Sequence, residues 1–321
     1  MSEFLERIDV VDIDTLHRDY DVDKVIDYVH EGIEAPTGSY PLDLYRKYEA
    51  QRWNISDLSF EEDKKDWTDK MTPLQRDTFL RVATGFHHGE RQVAVDIMPL
   101  IIAAPKDEHK VYMTSQMEDE ARHTIFFDRF YREVVGFEAT DLMDTLDQSY
   151  QYMTETFIGA FGYLAYISDQ LRQRPHDKRL LVSAITNYHM WIEGVLALSV
   201  MKITLGFCKR NQILPGFHKG FLATTRDESR HVVFGMHLLQ ELLADDPSLK
   251  TAVYDTVVTM LIMGSTYTQP VDYTPLGVER DSVRDILITN LRKKLGMVGL
   301  PIPPELERMM QGVQPENAAG G

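Results

Sequence analysis

The pentapeptides DEARH (residues 119–123) and DESRH (residues 227–231) are nearly identical, although they lie in different halves of the chain. Residues three apart on a helix share a face, so the Glu and His of each copy present a carboxylate and an imidazole together. A single pair of this kind is typical of a solvated face, but apolar residues follow both copies, TIFF after the first and VVFG after the second. Because buried charge without a partner is costly, the repeat predicts two pairs that bind a common ligand.

Each pentapeptide is preceded by a glutamate in an apolar segment. Glu90 lies in HHGERQVAVDIMPLI, and Glu193 lies in HMWIEGVLALSV. Glu90 and Glu120 stand at similar distances on either side of Pro105, so at about 1.5 Å per residue they reach the same height in an antiparallel hairpin. Glu193 and Glu228 bracket the turn segment GFCKRNQILPGF in the same way. The sequence therefore predicts two copies of one unit, in which a helix with Glu is followed by a turn and a helix with Glu-x-x-His.

The six side chains together predict a site for two metal ions. Four glutamates and two histidines from four helices form the pattern of di-iron and di-manganese carboxylate sites in ferritin-like bundles. Four carboxylates neutralise two divalent cations, which permits these polar groups to lie in a core. Oxygen and nitrogen ligands suit iron or manganese, and ligand type alone does not choose between them. The predicted metal ligands are Glu90, Glu120, His123, Glu193, Glu228 and His231.

The periodicity of the chain predicts an all-α protein. Thr72 is a suitable N-cap with Pro73 at the first helical position, and strand signals are nearly absent. The predicted helices cover roughly 72–104, 108–135, 141–171, 178–206, 217–243 and 248–263. No linker divides the chain, so we expect one large helical domain. Its expected bounds are 41–300, with an acidic N-terminal extension at 1–40 and a flexible C-terminal tail at 301–321.

Composition and charge exclude several classes of function. The formal net charge of −16 argues against nonspecific binding of nucleic acid. The single cysteine, Cys208, excludes an internal disulfide and a thiolate metal cluster. The longest apolar runs are too short to span a bilayer, so no membrane span is expected. The acidic N-terminal segment lacks the basic start and apolar stretch of a signal peptide, which predicts a cytoplasmic protein.

At these residues the chain resembles the small subunits of ribonucleotide reductase and their relatives. The resemblance runs from about Tyr45 to Met263, and it includes the six ligand positions and the stretch RW...FEEDKKDW with Trp53 and Trp67. It implies a ferritin-like helical bundle of the ribonucleotide reductase small-subunit type with additional helices. Within this group the sequence is most similar to the ligand-binding oxidases. That similarity implies a Mn and Fe cofactor, with two irons as an alternative, activation by O2, a bound long-chain fatty acid and a homodimer.

Position 127 separates this chain from the reductase subunits that carry a tyrosyl radical. In those subunits the radical tyrosine stands four residues after the first histidine ligand, whereas this chain has Phe127. Phenylalanine also occurs there in a reductase subclass that stores its oxidant on a Mn/Fe centre. Residues 274–321 contain no Tyr, Trp or Phe that could relay a radical to a partner, which favours the oxidase branch.

The oxidase relatives also carry an ether crosslink between a valine and a tyrosine, which the metal centre makes as it reacts with O2. The corresponding residues here are Val93, three after Glu90, and Tyr188, five before Glu193. Helical geometry places Val93 on the face of Glu90. Tyr188 lies about 140° around its helix from Glu193, so spacing alone does not predict the link. The resemblance therefore makes Val93 and Tyr188 candidate catalytic residues.

Three further polar residues are candidates to support the metal ligands. Asp227 matches an acid that orients a histidine ligand in the reductase relatives, and Asp119 repeats it in the first pentapeptide. His189, four residues before Glu193, is either a partner of the site or a packed core histidine.

Two other functions are compatible with the same residues. A ribonucleotide reductase small subunit with a Mn/Fe centre and no tyrosyl radical would need a catalytic partner. A non-catalytic protein that binds metal or lipid would hold the same ions without consuming O2. Oxygen uptake separates this second alternative from an oxidase.

Overall fold

The computed structural model describes residues 12–30 and 40–311, and this part of the chain contains helices and no strand. The predicted all-α fold is therefore confirmed. The helices are α1 (Ile13–Asp19), α2 (Val22–His30), α3 (Tyr40–Gln51), α4 (Glu61–Asp69), α5 (Pro73–Ala103), α6 (Asp107–Phe130), α7 (Leu142–Ser149), α8 (Glu155–Gln173), α9 (Lys178–Asn211), α10 (Pro215–Asp245), α11 (Lys250–Ser265), α12 (Arg280–Met297) and α13 (Pro304–Met310).

Helix α5 begins and ends where the sequence predicts. The Thr72 side chain accepts a hydrogen bond from the N–H of Gln75 (3.3 Å), and the Gln75 side chain accepts one from the N–H of Thr72 (2.9 Å). This capping box satisfies free N–H groups of the first turn, and Pro73 is preorganised for the first helical position. Ala104 leaves the helix because a residue that precedes proline disfavours helical geometry. The short connection that follows lets α5 and α6 pack along each other as the predicted hairpin.

Helix α4 fixes the start of α10. The buried carboxylate of Asp63 accepts hydrogen bonds from the backbone N–H groups of Gly216 (2.8 Å) and Phe217 (2.7 Å) in the first turn of α10. A carboxylate at this end of a helix satisfies free N–H groups and compensates the positive end of the helix dipole. This contact anchors the helix that carries Glu228 and His231.

The segment predicted as one helix at 141–171 is two helices in the structure. Helix α7 ends in a turn of 3-10 helix at Tyr150–Tyr152, and the side chain of Thr154 then caps α8 through the N–H of Phe157 (3.3 Å). The prediction was wrong because the apolar periodicity continues across the turn. A threonine N-cap was the signal that marks the break.

Helix α9 extends beyond the predicted segment 178–206 and is not α-helical throughout. Its middle, Thr186–Ala197, is a π-helix, and α-helical turns lie on both sides. A π-helix has more residues per turn than an α-helix, and π-helical segments occur frequently at functional sites. Tyr188, His189 and Glu193 all lie in this segment, so their relative directions differ from those that α-helical spacing predicts.

Both ends of the described chain carry helices that the sequence analysis did not predict. In the acidic N-terminal extension, α1 and α2 bury Leu16 and Val25 in the core and lie against α10. The predicted C-terminal tail contains α13, whose Leu306 and Met310 are buried. The rest of that tail, residues 312–321, lies outside the described residues.

Within residues 12–30 and 40–311, one helix is long and apolar enough to cross a membrane by length and composition alone. This helix is Lys178–Asn211, and 72% of its most apolar window is buried inside the protein. Packing in the core of the protein therefore accounts for its composition.

Candidate metal centre

Four helices bring the six predicted ligand residues into one buried cluster. Their side-chain donor atoms form two groups, and within each group the atoms lie within 4.8 Å of one another. One group consists of Glu90 from α5, Glu120 and His123 from α6, and Glu228 from α10; the other consists of Glu120, Glu193 from α9, and His231 from α10. Because Glu120 belongs to both groups, the two candidate metal positions adjoin each other and share a carboxylate.

Both histidines direct Nδ1 at the carboxylates. His123 Nδ1 lies 3.4 Å from Glu90 Oε2 and 3.3 Å from Glu228 Oε1. His231 Nδ1 lies 3.3 Å from Glu120 Oε1. Two ligand atoms that each lie about 2.1 Å from one ion, at roughly a right angle, are about 3 Å apart. Each Nδ1 is therefore spaced from its neighbouring carboxylate oxygens as two ligands of the same ion would be. His123 would bind one ion in this way, and His231 would bind the other.

The two pentapeptides support each other's histidines. Asp227, in the second copy, has Oδ2 at 3.2 Å from Nε2 of His123 in the first copy. Asp119, in the first copy, has Oδ2 at 3.1 Å from Nε2 of His231 in the second. The buried guanidinium of Arg230 donates to Asp119 (2.9 Å) and Asp227 (2.7 Å) and so holds the two acids together. A carboxylate on the far nitrogen fixes the tautomer and the orientation of a ligand histidine.

Trp53 extends this network toward α3. Its indole Nε1 donates to Asp227 Oδ2 (2.8 Å), the same oxygen that faces His123. The Arg122 guanidinium lies 5.4 Å from the centre of the Trp53 ring and pairs with Asp119. Trp53 marked the family resemblance in the sequence, but its contact with the site was not predicted.

Gln116 is a member of the site that the sequence analysis missed. Its side-chain nitrogen donates to the hydroxyl of Tyr188 (2.8 Å) and to Glu193 Oε1 (2.9 Å), and its oxygen lies 3.2 Å from Nε2 of His189. Burial lowers the pKa of His189 to about 3, so this ring is neutral and donates to Gln116. His189 is thus a partner of the site through Gln116. Helical spacing was an available signal, because Gln116 lies one turn before Glu120 on α6.

Without metal, the cluster has more negative charge than its histidines can balance. Burial and the neighbouring carboxylates of Glu228 and Glu90 raise the pKa of Glu120 well above its ordinary value. Burial raises the pKa of Glu193 to about 8. Burial by itself would lower the pKa of His123, but the carboxylates around it raise that pKa well above the ordinary value. These opposed shifts are what a site built for cations is expected to have when only protons compensate its charge.

The donor atoms fit two metal ions. Glu193 Oε2 and His231 Nδ1 are buried and have no hydrogen-bond partner among the described residues. Buried polar atoms are normally satisfied, and a bound cation would satisfy both of these.

A cavity of about 590 Å³ ends at this cluster. Both candidate crosslink residues, Val93 and Tyr188, lie in its wall. Tyr188 is fully buried, and its hydroxyl donates to Glu120 Oε1 (2.7 Å). The rest of the cavity is mainly apolar; its wall includes Phe86, Phe157, Phe161, Ile192, Leu196, Ile203 and Leu287.

Phe127 lies in a cluster of phenyl rings beside the site. Its ring stacks on Phe86 with centroids 5.7 Å apart and also contacts Phe217 and Phe221. Phe127 is completely buried. A phenyl ring has no O–H to lose, so this position cannot form a tyrosyl radical.

A helical bundle that buries four glutamates and two histidines in one cluster has the architecture of the ferritin-like proteins with carboxylate-bridged metal pairs. The model of the ribonucleotide reductase small-chain family matches residues 39–283. The chain belongs to the ribonucleotide reductase small-chain family.

Solved structures of R2-like ligand-binding oxidases have the same fold. The oxidase from Sulfolobus acidocaldarius is 23% identical to this chain and superposes with a TM-score of 0.68, covering 86% of this chain and 94% of that one. A Gly-to-Leu variant of an R2-like ligand-binding oxidase with an anaerobically reconstituted Mn/Fe cofactor is 25% identical, with a TM-score of 0.69 and coverage of 80% and 92%. The expected ferritin-like bundle of the reductase small-subunit type is confirmed.

Proposed function

We propose that this protein is an O2-dependent oxidase with a dinuclear Mn/Fe centre and a long-chain fatty acid bound beside it. The observation that carries the proposal is the position of the six-residue cluster at the inner end of an apolar cavity whose wall also contains Val93 and Tyr188. A metal pair at this point would be shielded from water and open to a C–H bond in the cavity.

The six residues would hold the two ions, with Glu120 shared between them. Their oxygen and nitrogen donors suit manganese and iron, and two irons would fit the same donors. The Mn/Fe pair is the better supported choice because solved structures with this fold carry that cofactor. When bound, the ions would activate O2 and supply two of the four electrons that reduce it to water.

The fatty acid would lie in the cavity. A volume of about 590 Å³ is within the usual range for small-molecule sites, and the phenyl and aliphatic side chains of the wall suit an acyl chain. Burying that chain would also exclude water from the inner end, where the oxidation takes place.

Val93 and Tyr188 would supply the other two electrons. The Val93 Cβ–H and the Tyr188 O–H bonds break, a Cβ–O bond forms, and two protons and two electrons leave. Glu120 accepts the hydrogen bond of the Tyr188 hydroxyl at 2.7 Å, so it is placed to receive the phenolic proton. The crosslink would tie α5 to the π-helical part of α9.

A second candidate function is that of a ribonucleotide reductase small subunit, the protein after which the matching family is named. Such a subunit would keep its oxidising equivalents on the Mn/Fe pair, because Phe127 offers no tyrosyl radical. It would form a complex with a catalytic partner, whereas the oxidase would act alone as a homodimer in the cytoplasm. A protein that only carries metal or lipid would bind Mn(II) and Fe(II) and take up no O2.

The decisive experiment is peptide mapping by mass spectrometry after loading with Mn(II) and Fe(II), with and without O2. We expect a species that joins the Val93 and Tyr188 peptides, lighter by two hydrogens, only in the O2-treated sample. The Tyr188→Phe variant is the matched control and should bind both metals without forming the species. Unlinked peptides under all conditions, together with O2 uptake, would favour the reductase subunit; no O2 uptake would favour the carrier.

A further inference from the structure

The charged residues in the cavity wall fall into two groups that differ in burial. The glutamates of the metal cluster are buried at the inner end. Three arginines and one aspartate, which are half-buried or exposed, also line the cavity; they are Arg81, Arg280, Arg284 and Asp272. The cavity therefore has acidic groups at its buried end and a rim with more cationic than anionic side chains.

Helix α12 connects the rim to the apolar wall. Arg280, Val283, Arg284 and Leu287 all line the cavity, and their spacing of three and four residues places them on one face of the helix. The arginines are exposed, whereas Val283 and Leu287 are half-buried. An amphiphile lying along this face would meet apolar side chains inside and guanidinium groups at the surface.

Arg81 pairs with Asp77 at 2.9 Å, whereas the two rim arginines of α12 have a weak carboxylate partner or none. Arg284 lies 3.7 Å from Asp281, an exposed pair of little strength, and Arg280 makes no ion pair with any residue in the described ranges. The carboxylate of Asp272 already accepts hydrogen bonds from the N–H (3.0 Å) and hydroxyl (2.8 Å) of Thr274. The guanidinium groups of Arg280 and Arg284 thus have donors free for an anion.

We propose that this rim is an anion subsite, and that the natural ligand is an amphiphile with an anionic group at its solvent-facing end. Arginine forms paired hydrogen bonds with a carboxylate, which gives the rim a preference for an anionic end over a neutral one of equal length. The proposal rests on the proposed function, because it takes the apolar cavity as the site of the acyl chain. It adds which end groups the protein selects.

The test compares two ligands of the same chain length on the metal-loaded full chain, an α,ω-dicarboxylic acid and its monomethyl ester. Their affinities are measured by displacement of a fluorescent fatty acid, over a series of chain lengths. We expect the diacid to bind roughly tenfold more tightly at the best length, and the advantage to fall at high salt, since exposed charge pairs are screened. The Arg280→Gln/Arg284→Gln double variant should lose the advantage.

Arg292→Gln is the matched control, because Arg292 is an exposed arginine on the same helix that pairs with Glu307 and does not line the cavity. It should keep the preference for the diacid. A parallel loss of affinity for both ligands in the double variant would also support the subsite, since it places a single carboxylate at the rim.

Two outcomes count against the subsite and have different meanings. Equal affinities of diacid and ester, unchanged in the double variant, would overturn the anion subsite and leave the fatty-acid cavity in place. Failure of every ligand in the series to displace the probe would overturn the fatty-acid cavity, and the subsite with it. Peptide mapping of the Val93–Tyr188 link does not depend on either result.

Discussion

Asp119 lies 3.1 Å from Nε2 of His231, although the two residues belong to different copies of the repeated pentapeptide. Asp227 makes the reciprocal contact with His123 at 3.2 Å. Each copy therefore supplies one Glu-His pair of the candidate metal site and the acid that contacts the histidine of the other copy. Neither half of the chain can form the complete arrangement alone.

Asp119→Asn should weaken metal binding by about 10- to 100-fold, because an amide in place of the carboxylate no longer holds the His231 ring in one tautomer and orientation. Metal affinity is measured by competition with a chelator. Asp128→Asn is the control, since Asp128 lies on the same helix and pairs with Arg132 at 3.0 Å, away from the cluster. Equal affinities in the two variants would show that Asp119 does not position His231.

The sequence was sufficient to bring the residues of the candidate metal site together, because the spacing arguments depend on regular helices. Glu90, Glu120 and Glu228 lie on α-helical segments, and their heights follow from the rise per residue and the position of the turns. Glu193 and Tyr188 lie in the π-helical part of α9. The apolar setting of Glu193 was enough to identify it as a candidate, but α-helical spacing did not predict where the Tyr188 side chain points. No periodicity rule gives the directions of side chains in such a segment.

The sequence also did not predict that each aspartate contacts the histidine of the other pentapeptide, or that Gln116 contacts the site. Both depend on how far one helix is rotated and shifted against its neighbour, which is a result of packing between α6, α9 and α10. Spacing within one helix shows which residues share a face. It does not show which residue on the next helix they meet.

Gly235→Ala should destabilise the protein by about 1–3 kcal/mol, because overpacking a dense core forces neighbouring atoms to move. A Cβ at Gly235 of α10 would overlap the Cβ and ring of His189, whose neighbours hold it in place. The matched control is Gly162→Ala in α8, where a Cβ meets nothing within 4 Å. That change should stabilise by about 0.5–1 kcal/mol, since alanine favours helix over glycine. Urea unfolding measures the change in the free energy of unfolding of each variant. A change of the same sign in both variants would contradict the prediction.

Gln116→Leu should destabilise the metal-free protein by about 1–3 kcal/mol, the cost of leaving buried polar partners unsatisfied. The partners are the Tyr188 hydroxyl, Glu193 and His189. Gln173→Leu is the control, because Gln173 is exposed and its side chain donates to Asp169, which is also exposed. Chemical denaturation measures both, and a loss in Gln116→Leu no larger than in the control would contradict the role assigned to Gln116.

The N-terminal extension should loosen as the pH falls. His17 of α1 and His218 of α10 face each other with Nδ1 atoms 3.0 Å apart, so one ring must donate while the other accepts. Burial lowers the pKa of both histidines, to about 4 for His218. The pKa of His17 is also lowered by nearby Lys219 and raised by Asp14. The pKa of His218 is also lowered by His17 and Lys209. A histidine whose pKa is lowered by folding favours the folded contact between α1 and α10 when the pH is above its ordinary pKa of 6.5. This stabilisation is lost as the pH falls toward 4.

Hydrogen exchange of Ile13–Asp19 measures this effect. Protection of α1 should decrease over that pH range, and the decrease should be smaller in His218→Gln, which removes one of the two titrating rings and leaves His17. Equal pH dependence in the wild type and in the variant would exclude the histidine pair as the cause.

Removal of the metal ions should make stability fall with rising pH. In the metal-free protein burial raises the pKa of Glu193 from 4.5 to about 8, and that of Glu120 is also raised well above its ordinary value. A carboxyl whose pKa is raised by folding stabilises the fold below its unfolded pKa of 4.5, and this stabilisation is lost as the pH rises through about 8. Bound cations replace the protons, and their affinity rises as the carboxyls ionise.

The difference in Tm between metal-loaded and chelator-treated protein should therefore widen between about pH 5 and pH 8. In Glu193→Gln, whose side chain cannot ionise, this difference in Tm should be smaller and should depend less on pH. Parallel Tm curves for the loaded and metal-free wild type would show that these carboxylates do not bind the metal.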